Sequence, residues 1–385
     1  MAIMPASRPA ARTVRLVAWA AMAAGSACTR AASLPAVLEP PRRAELPSPL
    51  WEPQPAATAA AAGASLRGVR AVNARVAWAS GSAGTVLRTT DGGRSWRRLP
   101  VPNADSLDFR SVWAFDSLTA VVASAGEAAE GQARIYRTAD GGRTWALVRR
   151  DTTRGIFYDA VAFWDRQHGL VLSDPVEAGG RRRFVVLSTL DGGRTWARTP
   201  WEGMPDALPG EAAFAAGNAA LAVAGTTQAW FVTGGPNGAR VYHTTTGGAR
   251  WDVVPAPVTP RSASAGLFAV AFSLPTFGLA TGGDYRVPRA GGGQFVRTEN
   301  GRDWDRTDLN TTAPGYWSGL AHVPGAGPQT FVAVGGAGTA VTRDAGRTWT
   351  VVDTATLHAV SFAATDAGWA VGPGGRVVRV RAAPR

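Results

Sequence analysis

Short apolar segments alternate with glycine-rich turns along most of the chain, from about residue 50 onward. Within a segment, apolar and polar residues alternate, as in LRGVRAV (66–72) and FRSVWAF (109–115). A period of two is typical of a β-strand with one face in a core, whereas an amphipathic helix repeats its apolar residues every three or four positions. The segments come in groups of four, so the pattern predicts an all-β chain made of four-stranded sheets.

A tight turn ending in Trp joins the third and fourth segments in six groups. It reads DGGRSW at 91, DGGRTW at 140 and 191, and DAGRTW at 344, with degenerate copies around Thr246 and Asn300. These turns recur every 44 to 55 residues, a period typical of β-propeller blades. The seventh group lacks its fourth segment, and LWEPQPA (50–56) resembles the missing one. The sequence therefore predicts a closed, seven-bladed β-propeller over residues 49–385, with the N-terminal segment completing the last blade, and six or eight blades stay open because the fourth and sixth groups are irregular.

We interpret the repeated Asp and Trp residues of these turns as structural. An Asp side chain can accept hydrogen bonds from nearby backbone N–H groups and hold the turn closed. A buried Trp removes roughly 150–250 Å² from water and can anchor a blade. The degenerate copies carry Thr and Asn instead of Asp, which favours architecture over catalysis or calcium binding. The structural residues are Asp91, Asp140, Asp191, Asp344, Trp96, Trp145, Trp196, Trp251, Trp304 and Trp349.

The N-terminus has the features of an export signal. Three arginines precede the apolar run LVAWAAMAA (16–24), which is too short to span a bilayer and indicates a cleaved signal peptide over residues 1–27. Cys28 follows small residues, as in a lipoprotein cleavage box, but Gly25 stands where that box usually has Leu. Lipid attachment through Cys28 in the periplasm or outer envelope and simple secretion both stay open. Residues 28–48 are rich in Pro and Ala and are expected to form a linker.

The formal net charge is +12, and all basic residues are Arg. No Arg-rich helix or basic run interleaved with aromatic residues occurs, so we do not expect nucleic-acid binding. The four histidines lie far apart in sequence, without metal-ligand spacing, and no metal site is expected. The glycine-rich stretch GGAGTA (335–340) is not followed by a helical pattern, so no dinucleotide or other cofactor is expected. We expect a monomer.

Several polar residues interrupt the apolar repeat at the starts of first strands and the ends of second strands. In a propeller these positions share one face, opposite the Trp-ending turns, and the first strand is innermost. They would therefore ring the mouth of the central channel, where propellers commonly bind ligands. The alternative is that they are solvated charges pairing with one another. The candidate ligand-binding residues are Arg67, Arg110, Asp159, Asp174, Glu211, Asp284, Tyr285, Arg286 and His358.

The Ser/Thr-x-Asp-x-Gly-x-Thr/Ser-Trp pattern resembles the Asp-box, or bacterial neuraminidase repeat, over residues 50–385. Families with this repeat include the Ycf48-like photosystem II assembly factors and exported bacterial propellers. That resemblance implies a non-catalytic scaffold that binds a protein or glycan partner at the channel mouth.

Three enzymatic alternatives stay open beside the scaffold. Sialidases share the turn and would imply a glycoside hydrolase, although their Arg-Ile-Pro motif is absent and DFRSV (108–112) is the nearest fragment. Some relatives carry an oxidoreductase label without a recognisable cofactor site. The third alternative is an unrecognised chemistry built from Arg110, Asp159, Asp174 and Tyr285. A hydrolase would place two carboxyl groups about 5–10 Å apart in the mouth, and a scaffold would not.

Overall fold

A computed structural model describes residues 45–48, 50–290, 294–307 and 313–381 of the chain. The predicted signal peptide, Cys28 and most of the predicted linker lie outside the described residues. The described part is rich in antiparallel strands, with one short α-helix and four short 3-10 helices. No helix within these ranges is both long and apolar enough to cross a membrane.

The strands form seven four-stranded antiparallel sheets, which are the blades of the predicted propeller. Before the first blade come β1 (Trp51–Pro53) and α1 (Pro55–Ala61). Blade one contains β2 (Leu66–Ala71), β3 (Ala77–Gly81), β4 (Thr85–Thr89) and β5 (Arg97–Arg98). Blade two contains β6 (Asp108–Ala114), β7 (Ala120–Ala125), β8 (Arg134–Thr138) and β9 (Ala146–Arg150). Blade three contains β10 (Tyr158–Phe163), β11 (Gly169–Ala178), β12 (Arg181–Thr189) and β13 (Ala197–Arg198).

The remaining blades follow in chain order. Blade four contains β14 (Leu221–Ala224), β15 (Gln228–Val232), β16 (Arg240–Thr244) and β17 (Asp252–Pro255). Blade five contains β18 (Ala265–Leu274), β19 (Phe277–Asp284), β20 (Gln294–Thr298) and β21 (Asp305–Arg306). Blade six contains β22 (Trp317–His322), β23 (Phe331–Gly335), β24 (Gly338–Thr342) and β25 (Thr350–Asp353). Blade seven contains β26 (Ala359–Ala364), β27 (Ala367–Val371) and β28 (Val377–Val380), and is completed by β1. The 3-10 helices are Ala128–Glu130, Trp201–Gly203, Asn218–Ala220 and Pro373–Gly375.

The N-terminal strand closes the ring as the sequence predicts. Strand β1 pairs antiparallel with β28, with Trp51 opposite Val380. The Trp51 Nε1–H also donates a hydrogen bond of 2.9 Å to Thr339 Oγ1 in blade six. Leu46 lies in the same buried cluster as Leu50, so contact with the propeller begins within the segment predicted to be linker. Closure leaves the last blade without an unpaired outer edge.

The hydrophobic core is divided among the seven contacts between neighbouring blades. Each of seven buried clusters joins side chains from two adjacent blades, and the last of these links blade seven back to blade one. The first strands of successive blades lie against one another around the axis, which makes them the inner strands. The turn Trp residues take part in these clusters, as Trp96 does between blades one and seven. Burial of a large aromatic at each contact stabilises the ring as a whole.

The Asp of each turn closes it through side-chain hydrogen bonds. Asp91 Oδ1 accepts from the Ser95 backbone N–H at 3.0 Å and from Thr89 Oγ1 at 2.9 Å, and Asp91 Oδ2 accepts from Ser95 Oγ at 2.6 Å. The bond from Ser95 lowers the pKa of Asp91 to about 2, so the carboxylate is charged at neutral pH. Gly92 and Gly93 adopt φ of +79° and +89°, which favour glycine. The same bonds recur at Asp140, Asp191 and Asp344.

Candidate functional site

A β-bulge at the start of an inner strand positions most of the side chains at one end of the channel. Strands β2, β6, β10, β18 and β22 each shift register by one residue there. A bulged residue has no partner across the ladder, so its side chain is re-aimed away from the regular alternation. The bulged residues are Arg67, Arg110, Asp159, Phe268 and Ser318. His358 occupies the corresponding place just before β26.

Blade four departs from this plan, because the segment before its inner strand enters the central channel. Residues 214–220, which we call the plug, contact inner strands from several other blades. The Asn218 amide donates to the carbonyls of Val112 at 2.6 Å and Val69 at 3.3 Å, and accepts from the Val112 N–H at 3.2 Å. A Cβ on Gly217 would lie 3.1 Å from the Arg67 carbonyl oxygen, so glycine is the residue that fits most easily. The plug divides the channel into two ends.

The plug enters through a close approach of two backbones. Gly234 pairs with Ala212 on one side and with Gly266 of blade five on the other. A Cβ on Gly234 would lie only 2.5 Å from the Gly266 Cα. This contact carries the chain inward, where the Phe214 ring stacks on Phe268 with centroids 3.9 Å apart.

A cavity of about 460 Å³ opens at the end of the channel opposite the Asp-containing turns, and we call it the mouth cavity. Its floor is the plug, through Phe214, Ala215 and Ala216. Its walls carry charged, aromatic and small side chains, and no Asp or Glu is found among the described residues that line it. The wall residues are Arg67, Arg110, Phe268, Tyr285, Pro288, Tyr316, Gly336, Thr356 and His358.

The two arginines give the mouth cavity a positive potential. Arg110 Nε donates to Asp108 Oδ2 at 2.7 Å, and Arg110 Nη1 donates to the Ala215 carbonyl at 3.3 Å, so the plug helps to hold this side chain. No described residue accepts a hydrogen bond from the Arg67 guanidinium. Burial, and then repulsion from Arg110, lower the pKa of Arg67. An anionic ligand would relieve that repulsion and supply the missing acceptors.

His358 and Tyr316 are neutral partners in the same walls. Burial, followed by repulsion from Arg67, lowers the pKa of His358 to about 4, so its ring is uncharged at neutral pH. His358 Nδ1 lies 2.9 Å from the Leu66 carbonyl oxygen and must donate to it, which leaves Nε2 as an acceptor. Burial raises the pKa of the Tyr316 hydroxyl. Tyr316 and Phe268 pack edge to face, with centroids 4.8 Å apart.

Asp159, which is buried, and Asp174, which is half-buried, form a carboxyl pair at the mouth end, but neither lines the mouth cavity. Asp159 is 1% exposed, and neither of its carboxylate oxygens has a hydrogen-bond partner among the described residues. Burial, and then Asp174, raise the pKa of Asp159 well above its usual range. Burial also raises the pKa of Asp174 to about 7, although the Ala213 N–H donates to its Oδ1 at 2.9 Å. Burial and the neighbouring Asp174 therefore favour the protonated form of Asp159.

The other candidates expected at the mouth take different positions. Tyr285 lines the cavity and is 48% exposed. Asp284 accepts from the Arg286 N–H at 2.9 Å and from Ser262 Oγ at 3.1 Å, and the structure brings neither Asp284 nor Arg286 into the cavity lining. Glu211 is 1% exposed and forms an ion pair with Arg240 beside Tyr242 in blade four. Its expected position at the mouth is corrected accordingly: Glu211 is a buried structural residue, because the chain turns inward only after it.

Sequence reasoning missed three contributors to the mouth. The plug was not predicted because blade four has no recognisable inner-strand pattern before Leu221. The one sign of an insertion was the interval between the turn of blade four and the previous turn, which is the longest in the chain. Asp108 forms an ion pair with Arg110. The repeat pattern gives no signal for an acidic residue at this position, and the separation of two residues in sequence was the only available sign of the pair. Tyr316 reaches the cavity from the loop before β22. Within the described ranges, no group of three or more His, Cys, Asp or Glu residues is arranged to hold a metal ion.

Comparison with known proteins identifies similar folds at low sequence identity. A solved structure titled "YCF48 bound to D1 peptide" matches with a TM-score of 0.62 and 16% identity, covering 88% of this chain and 100% of that one. YCF48 from Cyanidioschyzon merolae matches with a TM-score of 0.59 and 15% identity, covering 86% and 99%. No protein-family profile and no curated protein sequence matches the chain.

Glycoside hydrolase propellers are similar as well. The GH74 xyloglucanase from Xanthomonas campestris matches with a TM-score of 0.57 and 18% identity. The match covers 87% of this chain but only 54% of the xyloglucanase. At these identities the likeness establishes the seven-bladed propeller fold and leaves the activity to be argued from the site.

Proposed function

We propose that this chain is an exported, non-catalytic propeller that binds a segment of a protein partner in the mouth cavity, as an assembly scaffold of the Ycf48 type. The observation that carries the proposal is the lining of that cavity: two guanidinium groups beside four aromatic rings, without a carboxyl group among the described lining residues. The similar propeller solved with a bound D1 peptide supports a peptide as the class of ligand.

The cavity suits a peptide side chain or chain end that combines an anionic group with an apolar body. The unpartnered Arg67 guanidinium and the half-satisfied Arg110 guanidinium can each bind a carboxylate through a fork of N–H donors. Phe214, Phe268 and Tyr316 offer rigid apolar surface at low cost in side-chain entropy. A cavity of about 460 Å³ holds a few residues, so the rest of the partner would lie across the rim near Tyr285.

The test is selection of peptides from a random displayed library on the immobilised protein, followed by fluorescence anisotropy with the selected peptides. We expect selected peptides to carry an acidic residue or a free C-terminus next to an aromatic or aliphatic residue. The double variant R67Q/R110Q should weaken their binding by roughly a hundredfold or more, because each of the two charged interactions contributes about 1.5–3 kcal/mol.

The matched control is R94Q/R143Q, which removes the same charge from two exposed Asp-containing turns at the opposite face. It should leave peptide affinity unchanged at physiological salt. Equal losses in both double variants would reduce the effect to non-specific attraction by net charge and would overturn the mouth cavity as the binding site. Selection of glycans but no peptides on the same protein would replace the peptide with a sugar as the ligand.

A glycoside hydrolase is the second candidate, favoured by the similarity to GH74 propellers and by the raised pKa values of Asp159 and Asp174. A carboxyl group kept neutral at pH 7 can act as a general acid. Both groups lie outside the mouth lining, which counts against this role. Release of reducing sugar from xyloglucan or sialyl substrates by the wild type, abolished in D159N, would establish it, and no turnover would discard it.

The proposal also assigns the tight turns ending in Trp to the Asp-box repeat. A separate part of it is that the chain is exported and that Cys28 carries a lipid. The support is the sequence alone: arginines, an apolar run of nine residues, small residues and then Cys. Intact-mass measurement of the protein from membranes of an expressing bacterium tests it. A diacylglyceryl mass on the wild type that is absent from C28S is expected, and an unmodified Cys28 in a fully soluble product would contradict lipidation.

A further inference from the structure

The channel end on the side of the Asp-containing turns is also hollow. Two cavities of about 250 and 290 Å³ lie there, and Arg70, Trp113 and Phe362 line both. We call them together the rear cavity. The plug separates it from the mouth cavity, because Asn218 and Ala219 line the rear side while Phe214, Ala215 and Ala216 line the mouth side.

Arg70 carries an uncompensated charge in the wall of the rear cavity. Its guanidinium carbon lies 3.7 Å from the centroid of the Trp113 ring, so the cation stacks on the indole. Its Nε is buried without a hydrogen-bond acceptor, and no described residue forms an ion pair with it. Burial lowers the pKa of Arg70 to about 10, and no acidic neighbour raises it again. Arg70 is half-buried and stacks on Trp113, but it has no acidic partner, which points to an anionic ligand that completes it.

The inner strands leave room in front of this pair. Arg70 and Trp113 each lie three residues after a bulge, and the equivalent residues of other blades are small. The small residues are Ala162, Ala271, Ala321 and Ser361. Beside them, Val270, Leu320 and Phe362 make most of the remaining wall apolar, and Asn218 and His322 add polar groups to it.

The other charged residues at the rear, Asp165 and Arg166, line the cavity of about 290 Å³ and not the one of about 250 Å³. Arg166 donates to Asp116 Oδ2 at 2.6 Å, and His168 lies 2.8 Å from Asp165 Oδ2. In the cavity of about 250 Å³, Arg70 is therefore the one Arg, Asp or Glu among the described lining residues. A singly charged anion balances it, whereas a phosphate dianion would bring a second negative charge without a second free cation.

We propose that Arg70 and Trp113 form a second binding site, for a small monocarboxylate with an apolar body. The carboxylate would accept two parallel hydrogen bonds from the guanidinium fork, and the apolar body would occupy the space left by the small residues. The site is independent of the partner site proposed at the mouth, because the plug lies between them.

Fluorine NMR titration of the full-length protein with para-fluorobenzoate tests this proposal. We expect saturable binding to the wild type, and none of the uncharged isostere para-fluorobenzamide. R70Q should weaken para-fluorobenzoate binding at least tenfold, because it removes the charge and the fork. R70K keeps the charge but not the fork, and should give an intermediate affinity.

Two further variants keep the outcome decisive if R70Q does not fold. A321L fills the rear cavity without changing charge and should block para-fluorobenzoate. R67Q/R110Q removes the mouth arginines and should leave its affinity unchanged, even where peptide binding at the mouth is lost. Unaltered binding in both R70Q and A321L, loss of binding in R67Q/R110Q alone, equal binding of the amide, or no saturation with the wild type would each overturn the rear site.

Discussion

The two ends of the central channel are built from the same ring of inner strands, yet they differ in how their charged residues arise. At the mouth, Arg67 and Arg110 occupy β-bulges, where the ladder is interrupted. At the rear, Arg70 and Trp113 lie in regular pairing three residues later. Mouth residues can therefore vary without disturbing the sheet, whereas a rear residue must also fit the pleat.

The two ends of the channel also shift the pKa of carboxyl groups in opposite directions. Burial raises the pKa of Asp159 and Asp174 near the mouth, whereas the hydrogen bond from His168 lowers the pKa of Asp165 near the rear to about 2. The plug lies between these environments and belongs to blade four, whose turn has Thr246 in place of Asp. One blade has thus lost the regular repeat and gained the element that divides the channel.

The largest expected effect is a pH dependence of stability set by the mouth-end carboxyl pair. Because folding raises both pKa values, the folded protein holds protons more tightly, so this contribution is complete below about pH 4 and is lost as pH rises through about 7. D159N/D174N should match the wild type at pH 4 and exceed its free energy of unfolding by about 2–3 kcal/mol at pH 8. Urea denaturation across this range measures it.

The contribution of the carboxyl pair must be separated from that of other titrating groups. Folding lowers the pKa of His358 to about 4, and this contribution is lost as pH falls from about 6.5, so only the difference between variant and wild type reports the carboxyls. The rear control D165N, whose carboxyl has a lowered pKa, should not gain stability at pH 8. If D165N gained as much free energy of unfolding at pH 8 as D159N/D174N, the two ends of the channel would not differ in how they affect carboxyl pKa values.

A smaller loss is expected when the plug is released from the inner strands. N218A removes three hydrogen bonds to Val69 and Val112 and should lower the free energy of unfolding by about 2 kcal/mol. The control N237A removes one exposed hydrogen bond, to the Pro209 carbonyl, and should cost less than about 0.5 kcal/mol. Equal melting of both variants by calorimetry would mean that the plug is not held as described.

The smallest effect separates a regular turn from the irregular one. D91A removes the acceptor of three turn hydrogen bonds and should cost about 1 kcal/mol. T246D restores the acceptor in blade four and should add a few tenths of a kcal/mol, because the neighbouring Thr244 can donate to it as Thr89 does to Asp91. Thermal denaturation of both variants checks the signs. A stabilising D91A would contradict the structural role of the turn Asp.

The repeat predicts the blades well because each turn depends on residues next to one another in sequence: the Asp that accepts hydrogen bonds, the glycines with positive φ and the Trp. DGGRSW at 91 and its five copies located six sheets, and the partial group after 356 with LWEPQPA (50–56) located the seventh, as the strand pairing confirms. The same logic failed for Glu211, because its environment depends on the inward path of residues after it. Arg70 was not among the predicted site residues because it lies in a regular strand pattern, and only the structure shows that its Nε lacks an acceptor. Residues adjacent in sequence were enough to predict the blades, whereas the candidate sites combine residues from segments that lie far apart in sequence.

Photo-crosslinking from two positions of blade five tests most directly whether the partner binds at the mouth. Tyr285 at the mouth rim and Leu274 on the opposite face are similarly exposed, at 48% and 50%, so a benzoylphenylalanine at either has equal access to solvent. With a peptide selected on the wild type, we predict a crosslink from position 285 that R67Q/R110Q abolishes, and none from position 274. Crosslinking from position 274 alone, or from both positions regardless of the mouth arginines, would contradict the account.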